Sequence, residues 1–79
     1  MELGKKEQEI FDVIQRDIIE NKKPYSTLTN NQISKMLNLS PFSVRDKVIS
    51  LRKKKKLQTV INYWTEDNSF YNRVILLVK

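Results

Sequence analysis

The sequence predicts an α+β domain, three helices followed by a β-hairpin. Three observations predict it. Apolar residues recur every three to four positions as far as Leu51, the period of amphipathic helices. Beyond Leu57 the chain becomes β-branched and aromatic, as strands are. Between these regions stand two helix-start signatures, Thr29 with Gln32 and Ser40 with Pro41. A length of 79 residues is read as one small domain over 1–79, with a core modest enough for dimerisation to be a useful supplement.

The first helix is expected over about 3–21. Ile10, Ile14 and Ile18 repeat every four residues, with Leu3, Phe11 and Val13 on the same arc. Ile19 falls outside that arc, to pack under the following loop or to meet another subunit. Pro24 ends the helix, because proline disfavours helix in the residue before it. Residues 25–28 form either a short strand or an extended connection.

The second helix is expected over about 30–37. Thr29 caps it and Gln32 completes a capping box. Ile33, Met36 and Leu37 are expected to face inward. Asn38 can close the helix in a left-handed conformation. Ser40 then caps a third helix over about 41–54, and Pro41 suits its first position. Leu39 and Val44 can form a hydrophobic staple. Val44, Val48 and Leu51 make one inward stripe. The hairpin is expected over 57–78, with polar residues 65–69 as its turn. Val74 to Val78 are apolar on both strand faces and need cover on both. A second subunit could supply it, as could the first helix and the loop after it.

Composition excludes several functions. There is no cysteine and no histidine. Disulfides, thiolate nucleophiles, imidazole bases and the usual zinc sites are thereby ruled out. No residues pair a nucleophile with a base, and no glycine-rich loop could hold a nucleotide. The expectation is a non-enzyme with no catalytic residues, no metal, no cofactor and no small-molecule ligand. No apolar run nears the ~20 residues that span a bilayer, and the N-terminus lacks a signal-peptide core. A cytoplasmic or nucleoid-associated protein with no membrane partner is expected.

Charge points to a partner. The net charge is +6, yet residues 1–20 carry six acids and three bases, which leaves +9 for the remainder. Positions 45–56 hold seven basic residues and one acid, Asp46. Two helices joined by a tight turn, the second running into a lysine cluster, suit a DNA major groove. Double-stranded DNA is therefore the expected partner.

At ~100° per residue, the outward face of the third helix carries Phe42, Asp46 and Lys53, flanked by Ser43, Arg45, Lys47 and Ser50. Arginine can bond guanine, aspartate can accept from cytosine, and serine is permissive. Phe42 either touches a thymine methyl or folds back onto the second helix. Lys53, Lys54 and Lys56 are expected to neutralise phosphates, or to serve as a solvated helix end favoured by the dipole. Asn30 and Asn31, at the start of the second helix, can meet a phosphate through backbone N–H groups. Tyr63, Trp64, Phe70 and Tyr71 are expected mostly to pack in the core, though stacking on bases or on a partner protein is the other use of such residues.

The element order and the residues Ile33, Leu37, Leu39, Ser40, Val44, Arg45, Val48, Leu51 and Leu57 resemble the winged helix-turn-helix superfamily. The match looks closest to the DNA-binding domains of LexA-type and GntR-type repressors. The resemblance covers about residues 10–78. It implies a three-helix bundle with a hairpin wing, a recognition helix in the major groove, and Ser40 at the DNA-facing turn. It implies a sequence-specific transcriptional regulator, of the repressor kind. The alternative is a protein-interaction, replication or architectural module whose hairpin contacts a partner protein, and the chain could also pair as a homodimer. Low glycine with many Lys, Ile and Asn suits an AT-rich genome, such as that of a phage, plasmid or archaeal virus.

Two features depart from that family. A glycine usually stands between the third helix and the wing, where this chain has Lys55 or Lys56. The wing tip holds Glu66 and Asp67, which repel phosphate, leaving Asn68, Ser69, Asn72 and Arg73 as the wing's candidate contacts.

Overall fold

A computed structural model describes residues 3–78. It contains α1 (Lys5–Asn21), α2 (Asn30–Leu37), α3 (Pro41–Lys53), β1 (Leu57–Trp64) and β2 (Phe70–Leu77). The protein is a small α+β domain of three helices followed by an antiparallel two-stranded hairpin. Among the described residues, no helix is long and apolar enough to cross a membrane.

α1 starts two residues later than the apolar pattern suggests, because Gly4 is the cap. The Gly4 N–H donates to Glu7 Oε1 at 2.9 Å, so a side chain inside the first turn satisfies the preceding backbone. Ile10, Val13 and Ile14 are buried, while Ile19 is exposed. Ile19 therefore does not pack under the following loop. Lys22 closes the helix in a left-handed conformation with φ 55°.

The undecided stretch 25–28 makes one antiparallel bridge. Ser26 N–H donates to the Ile75 carbonyl at 2.8 Å, and Ile75 N–H returns to Ser26 at 2.9 Å. The fully buried Ser26 also donates from Oγ to Asp17 Oδ2 (2.8 Å) and accepts from Leu28 N–H (3.2 Å). Every polar group of this residue has a partner, as burial demands.

α2 shows the expected capping box, with Gln32 N–H to Thr29 Oγ1 at 3.1 Å and Thr29 N–H to Gln32 Oε1 at 2.9 Å. Its inward face corrects one expectation. Met36 is 59% exposed, and Ser34 is buried instead. The Ser34 hydroxyl donates to the Asn31 carbonyl at 2.7 Å, so a serine can take that place without an orphaned group. The buried face is thereby rotated from Met36 towards Ser34.

Asn38 ends α2 at φ 55°, and Leu39 N–H donates to the Ser34 carbonyl at 2.9 Å. Ser40 caps α3, its Oγ accepting from Ser43 N–H at 3.1 Å. Val44, Val48 and Leu51 are buried as expected. α3 ends in a Schellman pattern: Lys56 N–H donates to Leu51, Lys55 N–H donates to Arg52, and Lys55 stands at φ 60°. The left-handed position that glycine usually fills is occupied by a lysine.

The hairpin pairs Leu57 with Leu77 through to Trp64 with Phe70. Thr65 N–H donates to Ser69 (2.9 Å) across the connecting loop, in which Asn68 is left-handed. The ladder skips the Asn62–Asn72 pair, and Asn62 has φ 53°. Asparagine tolerates that region better than a β-branched residue. Val74 and Ile75 are consecutive and both fully buried within the single chain. Leu76 and Leu77 are half-buried and Val78 is 45% exposed, so the chain alone covers only the first part of that apolar stretch.

The core joins Ile10 and Ile14 of α1, Ile33 of α2, three residues of α3, Leu57 and Ile75. Each fully buried aliphatic contributes about 1.5–3 kcal/mol. α3 therefore rests against both other helices and the first strand, which fixes which of its faces meets solvent.

The hairpin aromatics divide. Tyr63 and Tyr71 are half-buried against Tyr25, with ring centroids 5.2 and 6.4 Å away. Trp64 and Phe70 pack as a tilted pair with ring centroids 4.9 Å apart, but both are exposed, Trp64 at 64%. Core packing thus fails for the tryptophan and phenylalanine. They form the cross-strand pair that borders the loop, beyond the reach of the helices' core.

Candidate nucleic-acid interface

With Val44, Val48 and Leu51 turned inward, α3 presents Phe42, Arg45, Asp46, Arg52 and Lys53 to solvent. Phe42 is 75% exposed, so it does not fold back onto α2. Ser43 and Lys47 are half-buried at the edge of this face. Ser43 Oγ accepts from Ser40 Oγ at 3.1 Å, so both serines are engaged in the turn. Lys55 and Lys56 extend the cationic surface beyond the helix end.

Two of the expected contacts are held elsewhere. Ser50 Oγ donates to Glu7 Oε2, and Lys54 Nζ pairs with Glu7 Oε1 at 2.7 Å. Glu7 is buried, and these bonds, that from Lys54 foremost, then those from Ser50 and the Gly4 N–H, hold its carboxyl down to about 2. Ser50 and Lys54 are therefore parts of a lock between α1 and α3. Among the described residues no other ion pair forms, so Arg45, Lys47, Arg52, Lys53, Lys55 and Lys56 have no carboxylate partner there.

A second lock involves the hairpin. Arg73 donates from Nη1 to Asn30 Oδ1 (2.7 Å) and from Nη2 to the Leu28 carbonyl (2.8 Å). Burial pushes the guanidinium pKa below its usual value. Arg73 thus ties β2 to the start of α2, instead of reaching out from the hairpin. Asn30 is half-buried in this arrangement, whereas Asn31 and Asn72 are exposed on either side of the groove it spans.

The loop tip is acidic and exposed at Glu66, Asp67 and Asn68. Thr65 and Ser69 donate to Asp67, which lowers its pKa and keeps it ionised. The tip carries negative charge over the ordinary pH range.

Residues missed from sequence complete the surface. Arg52 counted towards the charge but not towards the site. It lies with Ile49 and Lys53 along a groove between α3 and β1, whose other wall is Leu57, Gln58 and Thr59. The signal for Arg52 was its place immediately before the lysine run. Glu7 gave one as well: it lies three residues before Ile10 and seven before Ile14, on the apolar arc of the first helix, where an acid needs a partner.

The face thus combines cations able to meet phosphates with an arginine, an aspartate and an aromatic ring able to meet base edges. No family model matches this chain, and neither a curated protein nor a solved structure matches it.

Proposed function

We propose that this chain is a winged helix-turn-helix domain that binds double-stranded DNA and acts as a transcriptional regulator of the repressor kind. The observation that carries the reading is the outward face of α3. It exposes Phe42, Arg45, Asp46 and Lys53 on a helix whose other side is anchored in the core. The element order supports the fold, as does the isolated bridge from Ser26, in the segment between the first two helices, to Ile75 of the hairpin.

In this reading α3 enters the major groove and its N-terminal half meets base edges. Lys53 and Lys56 neutralise phosphates at the groove's rim, with Arg52 and Lys55 beside them. The N-terminus of α2 offers backbone N–H groups near Asn31 to another phosphate. The acidic loop tip stays off the backbone. Repression follows from occupancy of a promoter, and two chains on a two-fold site would supply affinity. Sedimentation that finds only monomer at high micromolar concentration removes the dimer.

The test is duplex binding by fluorescence anisotropy. Binding that weakens steeply with salt and is lost in Arg45→Ala/Lys47→Ala supports the reading.

A second reading has its own observation. Ile61, at 71% exposure, and the tilted Trp64–Phe70 pair leave large apolar groups uncovered on the hairpin. Such groups suit a protein partner. In that case Trp64→Ala abolishes partner capture while Arg45 and Lys47 are dispensable.

A further inference from the structure

Phe42, in the first turn of α3, is the most exposed large apolar side chain among the described residues. It adds nothing to the core, and a phenyl ring in water is unfavourable unless something covers it. At ~100° per residue, Phe42, Asp46 and Lys53 fall within about 40° of one another around the helix. The ring is therefore the first member of an outward strip, and Arg45 borders it.

The chemistry of that strip is selective. On the major-groove edge of a base pair, the apolar group is the thymine C5-methyl. A carboxylate is repelled by phosphates and by the acceptors of guanine, and it accepts from the exocyclic amino groups of cytosine and adenine. Asp46 has no ion-pair partner among the described residues, so its carboxylate is free to accept. One helical turn separates the two side chains, about 6 Å along the axis. That matches about two base-pair steps of ~3.4 Å. The surrounding cations hold the strip against a polyanion although Asp46 alone would be repelled.

We propose that Phe42 reads a thymine methyl group, and that Asp46 reads an exocyclic amino group about two base-pair steps away. The inference rests on the DNA-binding reading and adds the base chemistry that the site selects.

The experiment begins with a duplex selected from a random pool by the wild-type protein. Its thymines are replaced one at a time by deoxyuridine, which removes only the methyl. Anisotropy titrations then compare wild type with Phe42→Ala. At one position uracil weakens wild-type binding about fourfold, the worth of one buried methyl-sized group, and Phe42→Ala binds both duplexes alike. Asp46→Ala relaxes base choice two steps away. If every uracil duplex binds the wild type as tightly as its parent, or if Phe42→Ala keeps the discrimination, the proposal is overturned while DNA binding stands. If no duplex is bound at any salt concentration, the DNA-binding reading is overturned as well.

Discussion

Glu7, in the first turn of α1, pairs with Lys54, the residue that caps α3, at 2.7 Å across the domain. The same carboxylate accepts from Ser50 and from the Gly4 backbone. One side chain therefore fixes the start of the first helix against the end of the third. It also withdraws Ser50 and Lys54 from the face proposed to meet DNA.

The first prediction concerns pH. The folded carboxyl sits at about 2, below its ordinary 4.5. A depressed acid contributes stability above its unfolded value, and that contribution is lost as pH falls through the folded one. Urea titrations at pH 7, 4.5, 3 and 2 should show wild-type stability declining below about 4.5. Glu7→Gln should be less stable at pH 7 and should lack this component of the decline. Parallel pH profiles for the two proteins would contradict it.

The same pair makes a second prediction about binding. Glu7→Gln frees the Lys54 ammonium as an additional phosphate ligand. The slope of log affinity against log salt should then steepen by about one. An unchanged slope would mean that Lys54 stays beyond the reach of phosphate.

Lys55 supplies the third. Its φ of 60° at the end of α3 costs about 1–2 kcal/mol for an L-residue with a side chain. Its side chain is exposed, so little packing is lost on removal. Lys55→Gly should stabilise the fold by about 1 kcal/mol, read as a raised urea midpoint with unchanged slope. A lowered midpoint would show that the turn gains more from the lysine than it loses in strain.

The fourth sets the two sides of α3 against each other. Leu51 is fully buried, and Leu51→Ala should cost about 2–5 kcal/mol. In a domain this small that is most of the net stability, so the variant should be largely unfolded by circular dichroism. Phe42→Ala should stay within about 0.5 kcal/mol of wild type. A comparable loss from both would mean that the exposed ring is structurally engaged.

Much of the fold was legible because its boundaries are local. Thr29 and Gln32 sit three residues apart and form the box they suggest. Asn38, Ser40 and Pro41 mark the turn in the same way. What the sequence hid is long-range. Ser50 and Lys54 lie 43 and 47 positions from Glu7, and Arg73 lies 43 from Asn30. No periodicity reports such pairings, so four residues expected at the site were found in structural locks. Met36 failed for another reason. Eight residues define a helix face loosely, and a serine that bonds its own helix can take the buried place. The positive φ after α3 falls where the pattern expected from the sequence would place a glycine, although the lysine that adopts it was not an obvious choice.

The most direct measurement is the anisotropy of a labelled duplex pool at low and near-physiological salt, with wild type beside Arg45→Ala/Lys47→Ala. The account predicts wild-type binding that weakens steeply as salt rises, and a marked loss in the double variant at both concentrations. Absence of duplex binding at low salt would contradict it, as would undiminished binding by the double variant; in either case α3 would not be the surface that reads DNA.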